Sequence, residues 1–172
     1  VYHFLYTADD ERILSVAAPP GGGDLEFHWT LRDFGGKVLR EYVSTPAALV
    51  PTHDYIFRGD QPLGEVDFTT PTPTTYHLTL DHLGTPRLKT STTGAVVQKW
   101  KYFPFGEEAI PATRAGTALR FTGHERDRFN FGGVGDDVEY LHARHKSPVV
   151  GRFLGVDQVQ GRTEAPQSLN RF

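Results

Sequence analysis

Apolar and polar residues alternate in short bursts along most of this chain, and no stretch carries the 3.6-residue periodicity of an amphipathic helix. Glu26-Phe27-His28-Trp29-Thr30-Leu31-Arg32, Ala95 through Tyr102 and Val138 through Arg144 each read as a strand with alternate side chains on opposite faces of a sheet. Turn residues break the bursts at Ala8-Asp9-Asp10-Glu11, Asp33-Phe34-Gly35-Gly36, Arg58-Gly59-Asp60-Gln61 and Thr92-Thr93-Gly94. Gly and Asp tolerate the positive backbone φ that tight hairpins need. Longer loops are expected at 17–23, 69–75, 110–117 and in the Gly-rich stretch 130–137.

The bursts form a repeat. An aromatic residue, an Asp-containing turn, and then a basic residue with two aliphatics recur, the turns roughly 22 to 26 residues apart. Tyr6-Thr7-Ala8-Asp9 leads to Arg12-Ile13-Leu14, and Trp29 and Leu31 lead through Asp33 to Lys37-Val38-Leu39. Tyr55-Ile56-Phe57-Arg58-Gly59-Asp60 leads to Leu63, and Leu78-Thr79-Leu80-Asp81 leads through Gly84 to Arg87-Leu88. A single hairpin cannot bury its apolar face alone. The units are therefore expected to pair edge to edge. The predicted fold is all-β: successive antiparallel β-hairpins in one long twisted, curling sheet, with 1–116 as repeat hairpins and 117–172 as a closing region.

Composition narrows the chemistry. The 172 residues include 18 Gly and 12 Pro, which works against long helices. No apolar run approaches the roughly 18 residues of a membrane span, and no signal peptide is visible. The absence of Cys excludes disulfides, thiolate zinc sites and cysteine nucleophiles. A net charge of −3 weighs against nucleic acid as a partner. The chain opens at Val1 and contains no Met, so it reads as a fragment or processed product of a longer chain.

The repeats and four ordered motifs resemble the RHS/YD-repeat family. Asp81-His82-Leu83-Gly84-Thr85-Pro86-Arg87 is similar to the family's Asp-His-Leu-Gly-Thr-Pro signature, and Tyr102-Phe103-Pro104-Phe105-Gly106-Glu107 to its Tyr-x-Pro-Phe-Gly-Glu segment. Phe121-Thr122-Gly123-His124-Glu125-Arg126-Asp127 is similar to its Phe-x-Gly-x-x-x-Asp turn. Tyr140-Leu141-His142-Ala143-Arg144, followed by Gly151-Arg152-Phe153-Leu154 and Asp157, resembles its closing core motif, and Pro166 to Phe172 the start of its Asn-Pro ending. The resemblance spans essentially the whole chain. It implies a β-strip spiralling into a hollow shell that encloses a C-terminal cargo, often a toxin, closed by a plug that in some members is an aspartic autoprotease.

The resemblance also makes Asp157 the counterpart of the first catalytic Asp and Arg144 the counterpart of the Arg that accompanies it. Acid proteolysis needs two carboxyls that share a proton, and the family's second Asp would lie beyond Phe172. The pattern departs at Asp157-Gln158, where the family has Asp-Pro, and at Lys146-Ser147-Pro148, where it has Tyr-Asp-Pro. The bland alternative makes Arg144 and Asp157 an ion pair within the plug.

Other candidate chemistry is thinner. His142 and His145 lie near Asp136, Asp137 and Glu139, but residues three apart in a strand point to opposite faces, which spoils a chelate. Neither a metal nor a cofactor is expected. Trp29 and Trp100 could stack on sugars, but aromatics that recur with the repeat suit cross-strand packing better. Basic residues from Arg114 to Arg171 alternate with acidic ones, as cross-strand ion pairs do. Gly132-Gly133-Val134-Gly135 lacks the Lys-Ser/Thr of a phosphate loop.

The leading functional expectation is structural: a wall strip of a shell or extracellular assembly, including a self-associating fibre or tube, located outside the cell or on its surface. Its partners would be the rest of its parent chain or copies of itself, recruited through open sheet edges. The alternatives are part of a self-cleaving core around a toxin cargo, and an adhesive module for surface glycans.

Overall fold

In a computed structural model the chain is all-β. The structure describes residues 2–17, 24–109, 118–127, 137–142 and 144–157. The loops expected at 17–23 and 110–117, most of the Gly-rich stretch and the tail motif 166–172 lie largely or wholly outside the described residues.

Nine strands follow one another in sequence and in space: β1 (Tyr2–Tyr6), β2 (Arg12–Ala17), β3 (Glu26–Arg32), β4 (Val38–Ser44), β5 (Leu49–Arg58), β6 (Gln61–Asp67), β7 (Thr74–Leu80), β8 (Pro86–Ser91) and β9 (Val96–Lys99). Every neighbouring pair is antiparallel. The sheet is an open strip, with β1 and β9 as its edges. A second, four-stranded sheet follows: β10 (Glu125–Asp127), β11 (Val138–Leu141), β12 (Arg144–Ser147) and β13 (Arg152–Phe153). It packs on one face of the strip.

One turn geometry generates the repeat. In the turns Thr7–Glu11, Asp33–Lys37 and Asp81–Thr85 the first N–H donates to the fifth carbonyl, and the fourth N–H donates back to the first carbonyl. Ser91–Ala95, Phe103–Glu107 and Arg120–His124 close in the same way. The fourth residue must be left-handed, which explains Gly36 at φ +82° and Gly84 at φ +76°. In four of the six a side-chain oxygen at the first position, from Thr7, Asp33, Asp81 or Ser91, accepts from the fifth N–H and locks the turn. Asp81 Oδ1 accepts from the N–H groups of Leu83 and Thr85 at 2.9 and 3.0 Å, and Asp33 Oδ1 accepts from Gly35 and Lys37 at 2.9 Å each.

The pattern in the sequence lined up Asp9 with Asp33 and Asp81. By hydrogen bonding the equivalent residue is Thr7, whose Oγ1 accepts from Asp9 and Glu11, while Asp10 takes the left-handed position at φ +60°. The β5–β6 hairpin uses a different, two-residue turn at Gly59-Asp60.

The β1–β2, β3–β4, β5–β6 and β7–β8 hairpins each carry a β-bulge just past the turn, and the registers of β4–β5 and β8–β9 shift as well. Ile13, Leu39, Leu63 and Arg87 are the extra residues, at matching places in successive units. A bulge bends its strand and increases the local twist. Repeating it once per unit curls the whole strip in one sense.

The long Val138–Arg144 strand expected from the pattern is instead a hairpin. His142 adopts φ +52°, which turns the chain between β11 and β12. Alternation alone could not reveal this, because Leu141 and Arg144 face each other across a turn only two residues long.

The turn carboxylate sets the first expected outcome. Burial opposes ionisation of Asp81, but the N–H groups of Thr85 and Leu83 and the Arg87 guanidinium outweigh it and hold the carboxyl below its ordinary value. Its stabilising effect is therefore complete above the unfolded-state value and is lost as pH falls through the native one. Asp81→Ala should lower the unfolding free energy by about 2 kcal/mol at pH 7, at roughly 1 kcal/mol per hydrogen bond, and Asp81→Asn by about half that. Urea titrations at pH 7 and pH 3 test both numbers, with the gap between wild type and Asp81→Ala shrinking at pH 3.

Candidate functional site

The two sheets meet through buried charge rather than a large apolar core. Strand registers place Tyr6, Arg12, Arg32, Val38 and Tyr55 on one face of the strip. Val38 and Tyr55 form a small apolar cluster with Leu119. Around it, Arg12 pairs with Glu125 at 3.0 Å and with Asp127, and Arg32 pairs with Glu125 at 2.7 Å. Burial opposes the Arg12 charge, and the two carboxylates more than compensate, so its pKa is raised.

Tyr140 of β11 is the key to this contact. Its ring lies 4.3 Å under the Arg12 guanidinium and it is only 2% exposed. Its hydroxyl accepts from the Arg12 N–H at 3.0 Å and donates to the Asp10 carbonyl at 3.2 Å. One side chain of the small sheet thus satisfies the backbone of the β1–β2 turn.

Within the small sheet, charges form a ladder. Arg126 and Glu139 are direct cross-strand partners at 2.7 Å, and Glu139 is in turn opposite Lys146 at 3.4 Å. Arg120 and Arg126 also reach Glu108, at 3.2 and 3.3 Å. These basic residues of the last third are therefore engaged in ion pairs.

The chain then doubles back through β13, and the Leu154 N–H donates to the His145 carbonyl at 2.8 Å. This return brings Arg144 and Asp157 together: Arg144 Nη2 stands 3.0 Å from Asp157 Oδ2. The Arg144 guanidinium also stacks 3.7 Å over the Phe153 ring. Both side chains are part-exposed, at 23% and 35%. They line a cleft of about 690 Å³ shared with Tyr6, Asp10, His142 and His145. Among the described residues, Asp10 on the β1–β2 turn is the other carboxyl on its wall.

The histidines are spoken for differently than the strand argument held. His142 is in the turn, with Nδ1 2.9 Å from Glu11 Oε1, whereas His145 is on β12, with Nε2 3.4 Å from Asp127 Oδ2. Both rings pack on Tyr140. No group of three or more potential metal ligands occurs among the described residues. Trp100 is 3% exposed beneath the Arg120 guanidinium, and Trp29 lies between its cross-strand partners Leu14 and Tyr42.

Arg144 and Asp157 were legible through their motif, whereas Arg12, Arg32 and Tyr140 gave no signal as a unit. The Arg12 of the repeat and the Glu125 and Asp127 of the turn motif are far apart in sequence, and only packing joins them.

No protein-family model matches the chain, and no curated protein matches it in sequence. Solved structures share its fold. A crystal structure of TcdB2-TccC3-TEV aligns with a TM-score of 0.70 at 18% identity, covering 99% of this chain. The Tc holotoxin pore of Photorhabdus luminescens, carrying a TccC3 substitution, aligns at 0.69 and 16% identity, also over 99%. TcdB2-TccC3 without its hypervariable C-terminal region aligns at 0.57 and 17%. This chain spans only 8% to 9% of the length of those chains. The strip with its small packed sheet is thus a fold found within Tc toxin chains.

Tyr140→Phe tests the docking contact. It strands a buried Arg12 N–H and should cost about 1–3 kcal/mol. Hydrogen exchange at the Arg12 amide should accelerate together with that of β11, while the β5–β8 amides keep their protection.

Proposed function

We propose that this chain is a structural segment of a shell wall of the RHS/YD-repeat type, with β1–β9 as repeat strip and the region from 117 onward as its closing end. The observation that carries this reading is the open strip itself: nine consecutive antiparallel strands curled by a bulge in each of four hairpins, with a second sheet seated on one face. The fold shared with Tc toxin chains supports it. The edge strands β1 and β9 then join the rest of the parent chain, and in isolation copies of the chain compete for the same edges. The assembled shell would act outside the cell or on its surface and enclose a polypeptide cargo. Electron microscopy of the full-length gene product is the test. A hollow particle whose interior segment resists added protease is the expected result. A solid particle or an unclosed fibre would overturn the shell and favour self-association.

A second reading rests on the Arg144–Asp157 pair in its cleft. Asp157 serves there as half of an aspartic dyad, positioned by Arg144, and a carboxyl from the continuing chain supplies the other half. In a gene extended past Phe172, Asp157→Asn should abolish self-cleavage while leaving particle assembly intact. Processing at the wild-type rate would reduce the pair to a structural ion pair.

A further inference from the structure

The face of the strip that carries the small sheet also holds a cleft of about 470 Å³ between β2–β5 and β10. That volume falls in the roughly 300–1,000 Å³ range of small-ligand sites. Strand register builds it. Glu26, His28 and Thr30 alternate onto this face from β3, Glu41 lies opposite Thr30, and His53 lies opposite Glu41. Val43, opposite His28, supplies apolar wall between the two carboxylates, and Ala17 lies opposite Glu26 on its other side.

The charge inside the cleft is not balanced. Its two guanidinium groups are already paired, Arg12 with Glu125 and Asp127, which share the cleft, and Arg126 with Glu108 and Glu139 outside it. Glu41 accepts a hydrogen bond from the Tyr55 hydroxyl at 2.9 Å and has His53 Nδ1 at 3.6 Å, while Glu26 has His28 Nε2 at 3.4 Å. Among the described residues, neither carboxylate has a Lys or Arg partner. The Glu41 side chain is 22% exposed, so it still meets solvent through the cleft. Burial raises the Glu41 carboxyl above its ordinary value, so the fold keeps an acid where ionisation is costly. Acids held in this way within clefts mark candidate sites.

We propose that this cleft binds an alkylammonium or alkylguanidinium group, with its cationic head on Glu41, its stem along Val43, and Glu26, beyond His28, adding to the field. The head replaces the missing basic partner, and the apolar wall shelters the methylenes. A free amine or a lysine or arginine side chain of a polypeptide can supply this chemistry. The site is separate from the Arg144–Asp157 cleft and does not depend on the shell reading.

The test is titration of the folded chain with n-pentylammonium, with 1-pentanol as the neutral isostere, followed by NMR at the Ala17, Thr30 and Val43 amides. Saturable shifts with the ammonium and about tenfold weaker binding of the alcohol are expected. Glu41→Gln should weaken the ammonium by about tenfold and Glu26→Gln by about twofold. Equal affinity for the two probes, unchanged affinity in Glu41→Gln, or no saturation on the order of 10 mM would overturn the site. Glu41→Gln should fold. Because the native carboxyl titrates above its unfolded value, the variant should be the more stable protein above pH 5 or thereabouts, roughly the unfolded range of Glu, with the difference vanishing under more acidic conditions. A capped Ala-Lys-Ala peptide separates the sources: tighter binding than n-pentylammonium assigns the site to polypeptide, and weaker binding to free amines.

Discussion

The Arg12 guanidinium lies where the two sheets touch, and its charge has to be answered inside the protein. Glu125 and Asp127 answer it from the small sheet, Tyr140 covers it, and the same tyrosine hydroxyl satisfies the Arg12 backbone. A buried ion pair is seldom a source of net stability compared with an apolar contact, yet removing one partner strands the other. The contact is therefore selective in geometry: a shifted sheet would leave Arg12, Arg32 and their carboxylates unpaired at once. Such a constraint seats the small sheet in one place on a strip whose hairpins otherwise resemble one another.

That similarity between hairpins comes from local chemistry. A side-chain oxygen opens the turn, a left-handed residue closes it, and one extra residue bulges shortly after. Because the unit repeats, so does its bend, and curvature accumulates along the strip. An open sheet of this kind has no means of ending itself. The contacts of Arg12, Arg32 and Tyr140 hold a second layer over one face, whereas β1 and β9 remain the edge strands of the first sheet.

Strand content, turn positions and the order of hairpins were legible because period-two alternation and Asp/Gly turns act over a few residues. The Glu26–Arg32 strand appeared with both ends in place. The hairpin at His142 was not legible, since a non-glycine residue in left-handed backbone leaves no mark on alternation. Arg144 and Asp157 could be named from their motif, but their meeting depends on the fold-back through β13. The acidic cleft at Glu41 was hidden for a different reason. Glu26, His28 and Thr30 look like an ordinary solvent-facing row, and the sequence does not show that they share a cleft with Glu41 and the second sheet.

The sequence by itself determined an all-β chain of repeated hairpins, because backbone preferences at turns and the side-chain period of a strand are local properties. Only the tertiary structure decided which face of the strip is covered, which charges are buried together and where clefts open. Those outcomes depend on Arg12 meeting Glu125 and Tyr140 meeting Asp10. Each is a relation between residues that the chain brings together only after the second sheet has docked.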